Sequence, residues 1–287
     1  MKILIIGASG QLGTDLVRVM KENKESYKAP TKQECDITQA KQIQEYLDKE
    51  KPDAIINCAA LHNVDLCEEE PELARKYNTE AVETLAEYAK KGNIKFMTLS
   101  TDYVFDGKKK EGYTEEDIPN PLMIYGKTKL KGEQKVQKRG GKYFIIRTQS
   151  LYGQKGPSGK GLHFVDLMLK LSKEKEEIKV DQCQMAPTWA YPLAKNMLAL
   201  LKTEHYGLYH MSCEGKTTWY LCAKKIMELT KNPVKITPVS NDFYPKKFKR
   251  PENTYLINQN LKKIHLNLMP SWEKALEGYL KEKGLLQ

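Results

Sequence analysis

A tyrosine and a lysine four residues apart, Tyr125 and Lys129, form the pattern with the clearest chemical use. Residues four apart on a helix share one face, so the phenol and the ammonium can point into the same pocket. A neighbouring cation stabilises phenolate and lowers the pKa of a tyrosine from about 10. The pair therefore predicts a general acid that protonates a carbonyl oxygen as hydride reaches the carbon. The alternative is a chance pair, because the chain has 16 tyrosines and many lysines.

Hydroxyl side chains follow the predicted strand 94–99, where the chain reads Ser100-Thr-Asp-Tyr-Val-Phe105. The carboxyl end of a sheet strand is where α/β folds place their reacting groups. A hydroxyl from Ser100 or Thr101 would hold a substrate carbonyl beside Tyr125. A helix cap or a turn is the alternative use of such a Ser/Thr pair.

Glycines at intervals of three follow the first predicted strand, in the segment Gly7-Ala-Ser-Gly10-Gln11-Leu12-Gly13. Gly7 allows a sharp turn, Gly10 lets the backbone approach a pyrophosphate, and Gly13 permits close packing of helix on strand. The N–H groups that open the helix then face the phosphates. The position favours a dinucleotide site over a simple turn that happens to contain glycine.

The second predicted strand indicates which dinucleotide is bound. An NAD site usually ends this strand with an acid that holds the ribose hydroxyls. Here the region reads Tyr27-Lys-Ala-Pro-Thr-Lys32, and the first acid is Glu34. Lys28 and Lys32 are suited to a 2′-phosphate, which favours NADPH. NADH stays open, since these lysines have a second explanation as solvated surface residues.

Strand-like and helix-like segments alternate through the first half of the chain, and this alternation predicts a doubly wound, Rossmann-like parallel sheet. The predicted strands are 2–6, 26–29, 53–58, 94–99 and 143–147, and the predicted helices are 11–20, 39–49, 72–91 and 125–137. After about residue 150 the alternation loosens. We therefore expect a dinucleotide-binding domain at 1–150 and a smaller, less regular portion at 151–287, with some segments returning to the sheet. A glycine-rich stretch at 153–161 predicts a mobile loop over the site.

Composition restricts the class of protein. Hydrophobic residues make up 40% of the 287 residues and charged residues 29%, which suits a soluble α/β protein of the cytoplasm. No apolar run approaches the roughly 20 residues of a membrane span, and Met1–Ile6 lacks the pattern of a signal peptide. The six cysteines are scattered and indicate free thiols, with no disulfide frame or metal site. The net charge of +10 comes from dispersed lysines, which favours a solvated surface over a nucleic-acid interface.

Together these motifs resemble the dTDP-4-dehydrorhamnose reductase family, within the extended short-chain dehydrogenase/reductase superfamily. The resemblance extends over nearly the whole chain and is carried, in order, by the glycine loop 7–13, Asn57-Cys-Ala-Ala60, 100–105, 125–129, Arg147-Thr148, Ala186-Pro-Thr188, Gly207-Leu-Tyr-His210 and Lys249-Arg-Pro251. It implies that residues after 150 are mainly the substrate-binding portion. It also implies reduction of a nucleotide-linked keto sugar in polysaccharide biosynthesis.

The resemblance assigns roles to individual residues. Tyr125 would be the general acid, Lys129 would bind the nicotinamide ribose, and Thr101 would orient the 4-keto oxygen. The cofactor path would be lined by Ala59 and Ala60, and the adenine would lie near Asp36 and Ile37. The sugar nucleotide would meet His62, Val64, Asp102, Tyr103 and Arg250.

Two departures from the family pattern fall in the substrate half. Rhamnose-forming members often have a tryptophan soon after Arg-Thr, whereas this chain continues Gln149-Ser-Leu-Tyr152. The segment Asp181–Pro187 is one residue longer than the usual spacing. The reaction type is therefore better defined than the identity of the sugar.

Two alternative functions remain open. An epimerase or dehydratase of the same superfamily would retain its nicotinamide through the catalytic cycle. Dehydratases usually have an acidic pair after the Ser/Thr, whereas here Asp102 is followed by Tyr103 and no glutamate is adjacent, which argues against a dehydratase. A regulatory protein similar to the β subunit of methionine adenosyltransferase would share the Tyr-Gly-Lys-Thr-Lys stretch.

The three tryptophans are expected in the core of the smaller portion. The oligomeric state is open, a homodimer included.

Overall fold

The structure is a computed structural model that describes residues 1–156, 161–244, 248 and 250–286. The first half contains five strands, β1 to β5, at Lys2–Ile6, Ser26–Lys28, Ala54–Asn57, Lys95–Thr101 and Tyr143–Thr148. It also contains six α-helices, α1 to α6, at Gln11–Glu22, Ala40–Glu50, Val64–Glu69, Pro71–Arg75, Ala81–Lys91 and Ile124–Arg139. A π-helical turn, Lys76–Glu80, joins α4 to α5, and a 3-10 turn, Asp102–Val104, follows β4.

The second half is built from shorter strands. Strands β6 to β12 are Leu151–Tyr152, Glu177–Asp181, Gln184–Met185, Thr188–Trp189, Gly207–His210, Thr217–Thr218 and Lys235–Val239. Helices α7 to α11 are Phe164–Leu171, Ala190–Leu201, Trp219–Leu229, Gln259–Lys263 and Trp272–Glu282. None of the helices in the described ranges is both long enough and apolar enough to cross a membrane.

Six parallel strands form the central sheet in the order β2-β1-β3-β4-β5-β10. The prediction of a doubly wound parallel sheet is therefore confirmed. After β1 the chain forms β2 at one edge of the sheet, and it then crosses to the other side of β1 to form β3, β4 and β5. The strand order therefore reverses between β1 and β3, and such sheets bind ligands in the crevice at this point. One edge strand, β10, comes from the second half and pairs with β5. The division at residue 150 stays a prediction.

Helices cover both faces of this sheet because β1 is apolar at every buried position. Side chains alternate along the strand, so Ile3 and Ile5 point to one face and Leu4 and Ile6 to the other. The first face packs against residues of α1 and α8, including Leu16 and Leu193. The second packs against α2, α5 and α6, through Ile43, Leu85 and Val136.

One predicted element is wrong in part. The apolar spacing of residues 72–91 predicts a single helix, but the structure divides it into α4, the π turn and α5. The π turn admits one extra residue per turn, and side chains beyond it are rotated relative to a continuous helix. Asn78 lies in this turn, is 1% exposed, and faces α6. The expected mobile loop at 153–161 includes residues 157–160, which lie outside the described residues.

Candidate active site

A cleft of about 1420 Å³ opens where the strands of the central sheet end. Its wall combines the glycine loop, the segment after β3, the end of β4, and the first turns of α6. The segment after β5 and parts of the second half complete it. Most residues predicted for the site line this cleft: Gly7, Gly10, Gln11, Leu12, Gly13, Ala59, Ala60, His62, Val64, Ser100, Thr101, Asp102, Tyr103, Tyr125, Lys129 and Arg250.

The glycine loop has the geometry that a dinucleotide pyrophosphate requires. Gly7 has φ +77°, in the left-handed region, and a Cβ there would lie 2.7 Å from the backbone nitrogen of Ala59. A Cβ on Gly13 would lie 2.2 Å from the carbonyl oxygen of Gly7. Gly10 precedes α1 without a side-chain cap, so the first N–H groups of the helix have no side chain to satisfy them there. Such an uncapped helix start is suited to an anion, a dinucleotide pyrophosphate included.

Four residues predicted to bind the cofactor are not in the wall of the cleft. Lys28 is exposed at the end of β2. Ile37 is 4% exposed within the core. The carboxylate of Asp36 accepts hydrogen bonds from the backbone N–H and the hydroxyl of Thr38, which orders the turn before α2. Lys32 is exposed and donates a 2.8 Å hydrogen bond to the hydroxyl of Tyr77, which does line the cleft. Lys32 thus reaches the rim of the site.

The predicted acid Tyr125 and its neighbouring cation Lys129 lie on the first two turns of α6. Tyr125 is half-buried and Lys129 is 4% exposed. Burial lowers the pKa of Lys129 to about 8. We expected the ammonium to lower the pKa of Tyr125. Instead burial raises that pKa well above its usual value, a hydrogen bond with Thr101 offsets part of the rise, and the charge of Asp102 adds to it. The phenol is therefore protonated at neutral pH, as a proton donor must be.

Thr101 and Asp102 form a hydrogen-bonded pair at the end of β4. The Thr101 hydroxyl donates to Asp102 Oδ1 at 2.9 Å and accepts from the backbone N–H of Tyr103 at 3.1 Å. Burial raises the pKa of Asp102 to about 6. Thr101 is thus held in a fixed orientation next to Tyr125.

Ser100 has a different role from Thr101, although the sequence offered either hydroxyl for the substrate. The Ser100 hydroxyl donates to the carboxylate of Glu133 on α6. Glu133 in turn accepts two hydrogen bonds from Arg147 on β5. Ser100 therefore belongs to a buried charge network, and Thr101 is the hydroxyl adjacent to the phenol.

The residues predicted to meet the sugar nucleotide surround this pair. Tyr103 packs edge-on against Tyr125, with ring centroids 6.1 Å apart. Val64 begins α3, and His62 lies in the segment that precedes it. Arg250 lies across the cleft, 3.5 Å from Asp65 Oδ1, and so links α3 to the C-terminal segment.

The cleft also contains two polar residues that had no predicted role in the site. Thr148 is in register with Thr101 on the neighbouring strand, and Gln149 follows it. Gln149 is 2% exposed, and neither its amide oxygen nor its nitrogen has a hydrogen-bond partner among the described residues. Unsatisfied buried groups in a cleft are suited to a ligand. The register of β4 with β5 would have indicated Thr148.

The tryptophan prediction is incomplete for one of the three residues. Trp272 is buried in the core at 7% exposure, as expected. Trp219 packs against the same core but also lines the cleft beside Phe164, with ring centroids 4.4 Å apart. The aromatic pair gives this part of the cleft an apolar wall.

Comparison with known proteins places the chain in a family. The model described as the RmlD substrate binding domain matches residues 1–284. The chain belongs to the RmlD family. The resemblance to dTDP-4-dehydrorhamnose reductases stated from the motifs is thereby confirmed.

Relatives of the RmlD family match this chain over nearly its full length. The dTDP-4-dehydrorhamnose reductase of Salmonella typhimurium is 35% identical, with 98% of each chain covered. The spore coat polysaccharide biosynthesis protein SpsK of Bacillus subtilis is 33% identical, covering 99% of this chain and 98% of its own. A dTDP-4-dehydrorhamnose reductase from Bacillus anthracis, solved in complex with NADP, superposes with a TM-score of 0.93 at 36% identity, covering 98% of this chain and 99% of its own. These relatives confirm the prediction of an oxidoreductase.

Proposed function

We propose that this RmlD-family chain is an NADPH-dependent reductase of the 4-keto group of a nucleotide-activated deoxysugar, similar to dTDP-4-dehydrorhamnose. The supporting observation is that one cleft contains both the glycine loop and the group Thr101, Tyr125 and Lys129. A dinucleotide held at the start of α1 and a proton donor on α6 would then face the same substrate. The expected setting is the supply of sugar precursors for cell-surface polysaccharide.

The glycine loop and α1 bind the coenzyme in this proposal. The N–H groups at the start of α1 would hold the pyrophosphate, and Ala59 and Ala60 would leave room for the path toward α6. Lys32, at the rim, is the candidate for the 2′-phosphate. Bound NADPH supplies the hydride that reduces the keto carbon.

The proton comes from Tyr125. As the keto oxygen gains negative charge, the phenol transfers its proton to that oxygen, and the keto group becomes a hydroxyl. When the substrate binds, the Thr101 hydroxyl would turn its proton from Asp102 to the keto oxygen, while the backbone N–H of Tyr103 still donates to the hydroxyl oxygen and keeps it beside the phenol. The ammonium of Lys129 stabilises the phenolate that remains. Arg250 is our candidate for the nucleotide side of the substrate.

A direct assay of NADPH oxidation tests the substrate class. The purified protein is mixed with NADPH and a panel of dTDP-, UDP-, GDP- and CDP-linked 4-keto sugars, and oxidation is followed by absorbance. We expect stoichiometric NADPH consumption with at least one dTDP-linked 4-keto-6-deoxy sugar. Turnover with none, together with a stable complex with another enzyme, would overturn the reductase and favour a regulatory role.

A substitution at Tyr125 tests the assignment of the acid. Tyr125→Phe keeps the ring that packs against Tyr103 but removes the proton that is transferred. We expect kcat to fall by at least about 10²-fold, the usual contribution of a general acid, with an NADPH dissociation constant within about twofold of the wild type. Tyr143→Phe, a change in a tyrosine outside the cleft, is the matched control. Full activity in Tyr125→Phe would contradict the assignment.

A further inference from the structure

A buried ion pair lies one helical turn beyond Lys129. Glu133 of α6 is 3% exposed and Arg147 of β5 is 2% exposed. Arg147 Nε donates to Glu133 Oε1 at 2.9 Å, and Nη2 donates to Oε2 at 2.6 Å. A buried pair recovers little more than the cost of removing two charges from water. Stability alone does not explain why it is there.

The pair joins three elements of the site. Ser100 of β4 donates to Glu133 Oε1, and Ser100 is in register with Arg147 on β5. One carboxylate therefore ties α6 to the carboxyl ends of both strands. These are the strand ends that carry Thr101 and Thr148.

Arg147 is held from its other side by His210 and Phe105. His210 Nδ1 lies 3.1 Å from the carbonyl oxygen of Tyr113 and must donate to it, so Nε2 presents its lone pair to Arg147 Nη1 at 3.5 Å. Burial and the charge of Arg147 lower the pKa of His210 to about 3, so the ring is neutral. The Arg147 guanidinium also lies 5.1 Å from the centroid of the Phe105 ring. These contacts restrict the orientation of the Arg147 guanidinium, and the guanidinium in turn holds the Glu133 carboxylate in place.

The spacing of residues along α6 relates the Glu133–Arg147 ion pair to Tyr125 and Lys129. Tyr125, Lys129 and Glu133 are four residues apart, so they lie along one face of the helix. The other titratable groups that act on Lys129 are the thiols of Cys58, after β3, and Cys67, on α3. Burial raises the pKa of Cys58 to about 12, and Cys67 donates its S–H to the carbonyl oxygen of Leu61 at 3.4 Å. Both thiols are neutral, so Glu133 is the anion that acts on Lys129 among the described residues.

We propose that Glu133 is a positioning residue of the reductase site: its carboxylate, fixed by Arg147 and Ser100, sets the placement of Tyr125 and Lys129 and keeps the ammonium of Lys129 charged. This inference rests on the proposed function for its kinetic consequences only. Glu133 does not line the cleft, so its effect would pass through Lys129 and Tyr125.

Glu133→Gln is the main test, because it keeps the shape of the side chain and removes its charge. The cations Arg147 and Lys129 then lose their shared anion. We expect the Lys129 ammonium to lose its proton about one pH unit lower than in the wild type. The alkaline limb of kcat/KM, expected near pH 8 in the wild type, should move down with it. The NADPH dissociation constant should rise over the same pH range.

Glu83→Gln is the matched control. Glu83 on α5 also bridges two cations of α6, with Lys135 Nζ at 2.9 Å and Arg139 Nη2 at 2.7 Å, but it is partly exposed and lies away from the cleft. The substitution removes one carboxylate charge that pairs with cations of α6, at a place outside the cleft. We expect the alkaline limb to stay at its wild-type pH in this variant.

Direct titration separates this inference from the proposed function. The 13Cε resonance of Lys129, identified by its loss in Lys129→Met, reports protonation without any substrate, so an absence of turnover would not affect it. An unshifted Lys129 titration in folded Glu133→Gln would overturn the proposal. If that variant does not fold, Glu133→Asp decides. It keeps the charge but withdraws the carboxylate, and we expect kcat/KM to fall about tenfold, whereas wild-type kcat/KM would contradict the positioning role.

Discussion

Asp15 on α1 is a second buried carboxylate, and unlike Glu133 it forms no ion pair with any residue of the described ranges. It is 1% exposed, and neither oxygen has a hydrogen-bond partner among the described residues. Burial raises its pKa to about 6, only partly opposed by Arg18. An ionised carboxylate in this place destabilises the fold, because the folded state favours the neutral form.

The raised pKa predicts how stability depends on pH. The folded state holds the Asp15 proton more tightly than the unfolded chain does. The contribution of Asp15 to the free energy of unfolding is therefore fully present below about pH 4 and is lost as pH rises through about 6. Two pKa units correspond to about 3 kcal/mol. We expect Asp15→Asn to reduce the fall in melting temperature between pH 5 and pH 8, measured by calorimetry. An unchanged pH dependence would show that Asp15 is not buried as described.

Among single residues, those with a sequence pattern were predictable and those defined by tertiary pairing were not. The glycine spacing, Tyr125 and Thr101 could be selected because their chemistry depends on short-range spacing along the chain. Glu133 and Gln149 could not, since nothing near them in sequence shows that Arg147 and the cleft lie beside them. The sequence placed Lys129 near Tyr125 but not the burial that dominates both pKa values.

At the scale of elements, the π turn before α5 connects the coenzyme side of the cleft to α6. Asn78 Oδ1 accepts from the backbone N–H of Leu61 at 3.0 Å, and its Nδ2 donates to the Leu61 carbonyl oxygen at 3.0 Å. The same Nδ2 donates to the Thr128 hydroxyl at 3.2 Å. Asn78 thus fixes the segment beside Ala60 relative to the helix that carries Tyr125.

Removing the Asn78 side chain should loosen both elements together. Asn78→Ala leaves the N–H and carbonyl groups of Leu61 unpaired, at a cost of about 2–3 kcal/mol. We expect a lower urea midpoint and an NADPH dissociation constant raised about tenfold, measured by fluorescence titration. Asn23→Ala is the control, because exposed Asn23 makes one bond to Val19 at the end of α1. Equal effects of the two substitutions would exclude the bridging role.

Most strands and helices of the first half were predictable within one or two residues, because buried apolar runs and helical periodicity are local signals. The π turn was not, since residues 72–91 keep apolar residues at steps of three and four. The contact of Asn78 with α6 is a tertiary contact that this local pattern does not show. The 3-10 turn after β4 and the short strands of the second half carry too few residues for a periodic pattern.

At the scale of the whole molecule, the two halves share one sheet and one core. β10 pairs with β5, and α8 packs against α1 over the first face of the sheet. Residues 1–150 alone would therefore expose the edge of β5 and the apolar surface that α8 covers.

A truncated chain tests this dependence. We expect the fragment 1–150 to aggregate or remain partly unfolded and to bind no NADPH, because its core and one sheet edge are uncovered. Circular dichroism and size-exclusion chromatography of the fragment and the full chain would measure the difference. A monomeric, cooperatively folding fragment that binds NADPH would show instead that residues 1–150 are an independent domain.

The late position of β10 also affects synthesis. The strand β5 ends at Thr148, whereas β10 begins only at Gly207. At about 5–20 residues per second, the nascent chain waits roughly 3 to 12 seconds before its sheet can be completed. During that interval the β5 edge is open to other chains, so codon choice between these strands and access of chaperones to the ribosome exit should affect the yield of folded protein.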